Sequence, residues 1–145
     1  MRRSLTATII VLVVLAAGSL VWAHPVSADL RQATIDPTAT RALGGSYALV
    51  TGSVTCTSGE SFRIVMNLGQ SGAGAQAQGE AIGGCTGESI DWTVTALSTG
   101  DGALLQSGPA RTCWNVATFQ DGRTTDVRRG CSTVTLMTPL LEVAG

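Results

Sequence analysis

The sequence predicts an all-β fold, an antiparallel β-sandwich of about seven strands with two disulfides. After residue 45, apolar and polar residues alternate with the period of two that half-buried strands show. Glycine-containing turns separate the alternating segments, and no long stretch with helical periodicity follows the N-terminal apolar run. All four cysteines lie beyond that run, and an even number of cysteines is typical of a disulfide framework.

The N-terminal segment has the organisation of a secretory signal peptide, which we expect to be helical. Arg2 and Arg3 supply a charged start, and an apolar run over residues 5–17 follows. Small residues provide two cleavage sites, after Ala23 and after Ala28, and Ala23 has the usual short spacing from the apolar run. The segment therefore predicts export, with cleavage at Ala23 and Ala28 as the alternative.

The competing interpretation is an uncleaved membrane anchor, because the apolar segment approaches the roughly 20 residues that a spanning helix needs. Gly18 and Ser19 interrupt it, so we favour a secreted, extracellular protein with no membrane association after cleavage. The expected organisation in chain order is a signal peptide (1–23), a disordered or extended segment (24–45), the sandwich domain (46–138) and a short tail (139–145).

Four segments carry the alternation, each with one apolar face. Those faces are Ala48, Val50, Val54 and Cys56; Phe62, Ile64, Met66 and Leu68; Ile90, Trp92, Val94 and Ala96; and Val134 with Leu136. The stretch between Gly69 and Gly87 is rich in Gly, Ala and Gln, so we expect one weak strand there, with a mobile connection held by Cys85 as the alternative.

The cysteines are Cys56, Cys85, Cys113 and Cys131, and the sequence alone permits three pairings. One pair receives support from a register argument. Asp121-Gly122 is a strong hairpin turn signal, and Gly122 lies midway between Cys113 and Cys131. A hairpin centred there places these two cysteines opposite one another, within reach of a cross-strand bridge worth about 3 kcal/mol.

The same register has an unfavourable consequence. The parity that turns Trp114 and Val116 inward also turns Arg128 inward, where an unpaired charge is costly. We expect a β-bulge at Arg129-Gly130 to relieve this, because glycine suits the left-handed position of one bulge class.

Several function classes find little support in the sequence. The single histidine, His24, lies in or just after the signal peptide, and no C-x-x-C pair occurs, so we expect no metal site, no cofactor and no catalytic residue. The net charge of −1 argues against a nucleic-acid partner. A small hydrolase built on two carboxylates remains an alternative, with candidates at Glu80, Glu88, Asp91, Asp121 and Asp126.

The most promising residues for binding gather around the predicted hairpin. They are Arg111, Arg123, Arg128, Arg129 and Phe119. Exposed arginine beside aromatic side chains suits a face that binds an unknown protein or an anionic glycan outside the cell. The plainer interpretation is a strand edge protected by solvated charge. We expect a monomeric, non-enzymatic binding or interaction module; a small-molecule carrier or a protease inhibitor is the alternative to it.

Five short motifs carry a resemblance to a known family. They are Gly52–Cys56, Val65–Gln70, Cys85–Gly87, Trp92–Val94 and Gly108–Arg111. The run that contains them resembles a family of uncharacterised small exported actinobacterial domains with an immunoglobulin-like fold. The resemblance implies a bacterial protein with an immunoglobulin-like sandwich and a disulfide between Cys56 and Cys85. The second cysteine pair departs from the family pattern, and the family offers no activity or site residues.

Export can be tested by the intact mass of the protein recovered from culture medium. We expect a chain that begins at His24 or Asp29 and that gains one hydrogen per cysteine on reduction, because all four thiols are bonded. A mass that retains the signal peptide, or four free thiols before reduction, would contradict the prediction.

Overall fold

A computed structural model describes residues 29–99 and 102–139 of the chain. The predicted signal peptide and all but the first residue of the predicted tail lie outside these ranges. The strands are β1 (Leu30–Ile35), β2 (Thr38–Arg41), β3 (Tyr47–Cys56), β4 (Ser61–Gln70), β5 (Ala75–Gly84), β6 (Ser89–Thr99), β7 (Gly108–Gln120) and β8 (Arg123–Met137), with a 3-10 turn at Leu43–Gly45. None of the residues in these ranges forms a helix long and apolar enough to cross a membrane.

The strands form one sheet that closes on itself. Around the ring the order is β3, β6, β5, β4, β7, β8 and β2, and β2 then pairs with β3. Neighbours are antiparallel except for β2 and β8, which are parallel. The remaining strand, β1, pairs with β3 alone. The prediction of an all-β fold with two disulfides is confirmed.

The strand pairing differs from the predicted antiparallel sandwich. A sandwich has two separate sheets, whereas here β3 pairs with β6 and β2 bridges β3 to β8, so the sheet is a closed barrel of seven strands. Alternation cannot distinguish the two folds, because both have one inner face per strand. The barrel also begins earlier than expected, since β1 and β2 lie in the segment 24–45.

The barrel interior contains the apolar faces that alternation predicts. Val50, Val54, Ile64, Met66 and Val94 are fully buried, and Leu68 and Leu136 are nearly so. Burying a side chain of this size stabilises the fold by about 1.5–3 kcal/mol. The stretch expected to form one weak strand does so as β5, whose small residues Ala75 and Ala77 are buried.

The connection between β6 and β7 is fastened to one end of the barrel. Leu105 is fully buried there, and its N–H donates to the Gly45 carbonyl oxygen at 3.0 Å. The side chain of Gln70 pairs with the backbone of Gln106, accepting from its N–H and donating to its carbonyl oxygen, both at 2.8 Å. The Gln70 amide thus supplies hydrogen bonds that a neighbouring strand would otherwise give to the backbone of this connection. The connection is therefore held in place over the end of the barrel.

Three aromatic rings lie over glycines on neighbouring strands. Phe62 faces Gly83, Trp92 faces Gly52 and Trp114 faces Gly130 as cross-strand partners. A Cβ at any of these glycines would meet the ring at 2.4–2.7 Å. Large and small residues therefore alternate across the inner face, as a narrow closed sheet requires.

The packing at Gly52 gives a testable prediction. We expect Gly52→Ala to lower the free energy of unfolding by about 1–3 kcal/mol, because the new Cβ would lie 2.1 Å from the Thr34 carbonyl oxygen and against Trp92. Gly69→Ala is the matched control, since its Cβ meets nothing within 4 Å, and it should be neutral or slightly stabilising. Urea unfolding of both variants measures the difference; equal stabilities would contradict the packing argument.

Candidate functional site

The hairpin formed by β7 and β8 begins from a two-residue turn. Asp121 and Gly122 both have positive φ, at 52° and 76°, which is the conformation that the favoured hairpin turn demands at its two central positions. Gln120 and Arg123 pair directly across the turn. The Asp-Gly signal therefore predicts the place of the turn, but the hairpin is centred between Asp121 and Gly122 and not on Gly122 as expected.

A β-bulge next to the turn sets the register of the rest of the hairpin. Phe119 pairs with Thr124 but Thr118 pairs with Asp126, so Thr125 is the extra residue. Its hydroxyl lies 2.8 Å from that of the buried Thr118. The predicted bulge at Arg129-Gly130 is wrong, because Gly130 pairs regularly beneath the Trp114 ring.

The shift of one residue is what brings the second pair of cysteines together. Without the bulge, the two-residue turn would place Cys113 opposite Gly130; with it, Cys113 faces Cys131. The bridge joins Cα atoms 4.0 Å apart, on the outside of the barrel. The other bridge, Cys56–Cys85, joins Cα atoms 5.3 Å apart and connects the end of β3 to the segment after β5. Both predicted pairings are confirmed.

The five residues predicted as a binding face lie in three places. Arg111, Arg129 and Phe119 lie on the outer face of the hairpin, with Arg111 and Arg129 exposed to solvent and Phe119 half-buried. Arg123 lies beside the turn and is exposed. Arg128 is half-buried on the inner side opposite Val116, as its parity predicts.

The outer face continues across β4 and β5, and sequence reasoning missed this extension. Val65 and Ile82 on these strands, and Val127 on β8, are 37%, 70% and 42% exposed. Arg63 lies among them and pairs with Glu80, its guanidinium nitrogens lying 2.9 and 2.5 Å from one carboxylate oxygen. We use the term outer face for Arg63, Val65, Glu80, Ile82, Arg111, Asn115, Ala117, Phe119, Val127 and Arg129. On both β4 and β7 the outward-facing residues have odd numbers, and this shared alternation is the sequence signal that was missed.

The charge of the outer face is positive. Glu80 neutralises Arg63, whereas neither Arg111 nor Arg129 forms an ion pair within the residues that the structure describes. Asn115, the cross-strand neighbour of Arg129, has a buried side-chain oxygen with no hydrogen-bond partner there. The face therefore offers two free guanidinium groups beside exposed aliphatic side chains.

Beside this face, β8 has an edge that is largely unpaired. Apart from the bulge residue Thr125, β8 pairs with β7 from Arg123 to Leu136, but on its other side only Thr135–Met137 pairs, with β2. The inner-facing residues show the change: Val134 and Leu136 are buried, whereas Arg128, Gly130 and Ser132 are half-exposed. The barrel wall thus has a gap between β1 and β8, which we call the slot.

The candidate carboxylates for a hydrolase do not come together. Glu80 pairs with Arg63, Glu88 lies just before β6 and Asp91 near its start, and Asp121 is in the hairpin turn. Asp126 accepts from the N–H groups of Leu30 and Val127 at 3.2 and 2.8 Å. In the described part of the chain, no group of three or more His, Cys, Asp or Glu residues is arranged to hold a metal ion.

A groove of about 1080 Å³ lies at the end of the barrel where β4 turns into β5. Its walls include the turn at residues 71–74 and the amides of Asn67, Gln76, Gln78 and Gln106, with Arg111 at one side. Small residues and amides line these walls and the groove is open to solvent, whereas a carrier encloses most of the surface of its ligand.

Comparison of the sequence with protein-family models finds no match, and comparison with curated proteins finds none either.

The two disulfides should differ in their reactivity towards mild reductants. Cys56 and Cys85 are 0% and 7% exposed, whereas Cys131 is exposed on the outer side of the hairpin. We expect Cys113–Cys131 to be reduced first, because exchange requires access of a thiolate to a sulfur atom. Alkylation during stepwise reduction, followed by peptide mapping, gives the order. Earlier labelling of Cys56 or Cys85 would show the prediction to be wrong.

Proposed function

We propose that this chain is an exported, non-enzymatic binding module, and that its outer face contacts an anionic protein or glycan outside the cell. The observation that carries the proposal is the position of Arg111, Arg129 and Phe119 on one face of the hairpin. Arginine and aromatic residues are enriched where proteins bind partners, and exposed aliphatic neighbours such as Val127 add apolar contact area.

Rigidity of the hairpin supports the same function. Residues on the outer face are held by pairing on both sides of β7 and by the Cys113–Cys131 bridge. A face that is ordered before binding loses less conformational entropy when a partner arrives. Arg111 and Arg129 flank the bridge at two residues on either side of it, so their guanidinium groups extend from a fixed base.

We further propose a secreted, extracellular location for a monomeric domain. Two intramolecular disulfides support it, because such bonds persist in oxidising compartments and are rare in the cytosol of most organisms. We also propose kinship with the exported actinobacterial immunoglobulin-like domains. The Cys56–Cys85 bridge that the resemblance implies is present, whereas the strand pairing in the closed barrel is not that of a two-sheet sandwich.

Retention of the mature protein on immobilised heparin, used as a polyanion probe, tests the function. We expect Arg111→Ala and Arg129→Ala each to weaken binding, and together to weaken it about two- to thirtyfold, because each exposed ion pair contributes roughly 0.2–1 kcal/mol. The loss should shrink as salt is raised.

Arg123→Ala is the matched control, since Arg123 is an exposed arginine beside the hairpin turn, outside the outer face, and its loss changes the net charge by the same amount. We expect the control to bind nearly as the unmodified protein does. An equal loss from Arg123→Ala would mean that net charge alone governs retention, and no retention of any form would remove the proposal for anionic partners.

A further inference from the structure

The slot exposes backbone groups of β8 that have no strand partner. In an antiparallel pair, alternate residues direct their N–H and C=O groups away from the neighbouring strand. The N–H of Thr135 points away from β7, because it donates to the Pro37 carbonyl oxygen at 2.9 Å. By this alternation the backbone N–H groups of Thr133, Cys131 and Arg129 also point away from β7. No strand in the described ranges pairs with these N–H groups.

The slot has defined boundaries. Above it, β2 pairs with β8 from Thr135 onward. Below it, the Asp126 carboxylate accepts from Leu30 on β1 and from Val127 on β8, joining the two strands at one point. Along its side, β1 pairs with β3 and leaves β8 unpaired. The open length is therefore about five to seven residues of extended chain.

A polar side chain beside the slot also lacks a partner. Ser132 is on β8, and its hydroxyl is buried without a hydrogen bond in the residues described. Its cross-strand neighbour Thr112 also has an unsatisfied hydroxyl, but Thr112 is on β7 and completely buried. The hydroxyl of Ser132, next to unpaired strand backbone, indicates a place where a polar, extended chain can supply a missing contact.

Charge around the slot selects the type of chain. Arg128 and Arg129 lie on β8, and Arg31 lies on β1, none with an ion pair among the described residues. The carboxylate of Asp126, at the lower end of the slot, accepts from two backbone N–H groups. A second copy of this chain would bring its own arginines to the same edge and repel them, whereas an acidic segment would be attracted.

We propose that the edge of β8 from Arg129 to Thr133 receives an acidic, extended peptide segment of a partner protein as an added strand. The inference rests on the proposed binding function and specifies its partner. Backbone hydrogen bonds to Arg129, Cys131 and Thr133 provide affinity, and Arg31, Arg128 and Arg129 provide the preference for acidic side chains.

The probe is a fluorescent, capped peptide of three Glu-Val repeats. A Lys-Val peptide of equal length tests the charge preference, and a Glu-Val peptide methylated on alternate backbone nitrogens tests strand pairing. We expect the Glu-Val peptide alone to bind and to slow amide hydrogen exchange at Arg129, Cys131 and Thr133, which should exchange faster than Gly130 and Ser132 in the free protein. No slowing at these amides, or equal binding of all three peptides, would overturn the proposal.

Thr133→Pro removes one outward N–H and should leave the pairing of β7 with β8 intact, while Thr133→Ala keeps that N–H. We expect the proline variant to bind the peptide about fivefold more weakly or worse, the loss of one hydrogen bond, and the alanine variant to bind normally. Equal binding of the two variants would contradict strand addition. If the proline variant does not fold, comparison of the methylated and unmethylated Glu-Val peptides still tests whether the peptide binds by strand pairing.

Two further outcomes separate this inference from the proposed function. Protection of the same amides without peptide, together with a dimer in sedimentation, would identify a second copy as the occupant and overturn the acidic partner. Heparin retention that depends on Arg111 and Arg129 but not on Thr133→Pro would uphold the outer face as a binding surface, whatever the peptide does.

Discussion

Closure of the sheet through β2 is the constraint on which the other features depend. Three residues, Thr38 to Thr40, pair with β8, and two pair with β3. Where that bridge exists, Val134 and Leu136 are buried; where it ends, the inner face of β8 is half-exposed. Pro37 marks the change, because proline cannot donate to a ladder, and the chain before it follows β3 as β1. The short length of β2 thus determines both where the inner face of β8 is buried and where the slot begins.

The alternation of apolar and polar residues predicts which side chains form the core, but it does not predict that the sheet closes into a barrel. Val50, Ile64 and Val94 are buried as their parity predicts, since each strand has one inner face in any β architecture. Closure depends on β2, a four-residue strand of sequence TATR, which is too short for a period to be recognised. Pairing between β3 and β6 is likewise a relation between distant segments, and no local pattern encodes it.

The hairpin was predictable because turn chemistry and cysteine spacing are both local. Asp121-Gly122 and the two cysteines give its turn and its disulfide, but the position of the bulge depends on which residue tolerates being unpaired. Thr125 does so because its hydroxyl reaches Thr118. The outer face was only partly predicted, since Val65 and Ile82 join it through the pairing of β4 with β5 and β7. The free edge of β8 could not be predicted either, because it depends on which distant strands leave it unpaired, and no local sequence pattern shows that.

An unpaired edge is an aggregation hazard unless something discourages pairing between copies. In this chain Arg128 and Arg129 place two positive charges at the edge, and Asp126 caps the N–H of Val127 at its lower end. Neither device closes the edge: the backbone of Cys131 and Thr133 stays accessible between them. Charge that repels another copy also attracts an acidic segment, so the residues that discourage pairing between copies are the same residues that would choose the partner of the domain. Protection against self-association and recognition of an acidic strand therefore require no separate features of the fold.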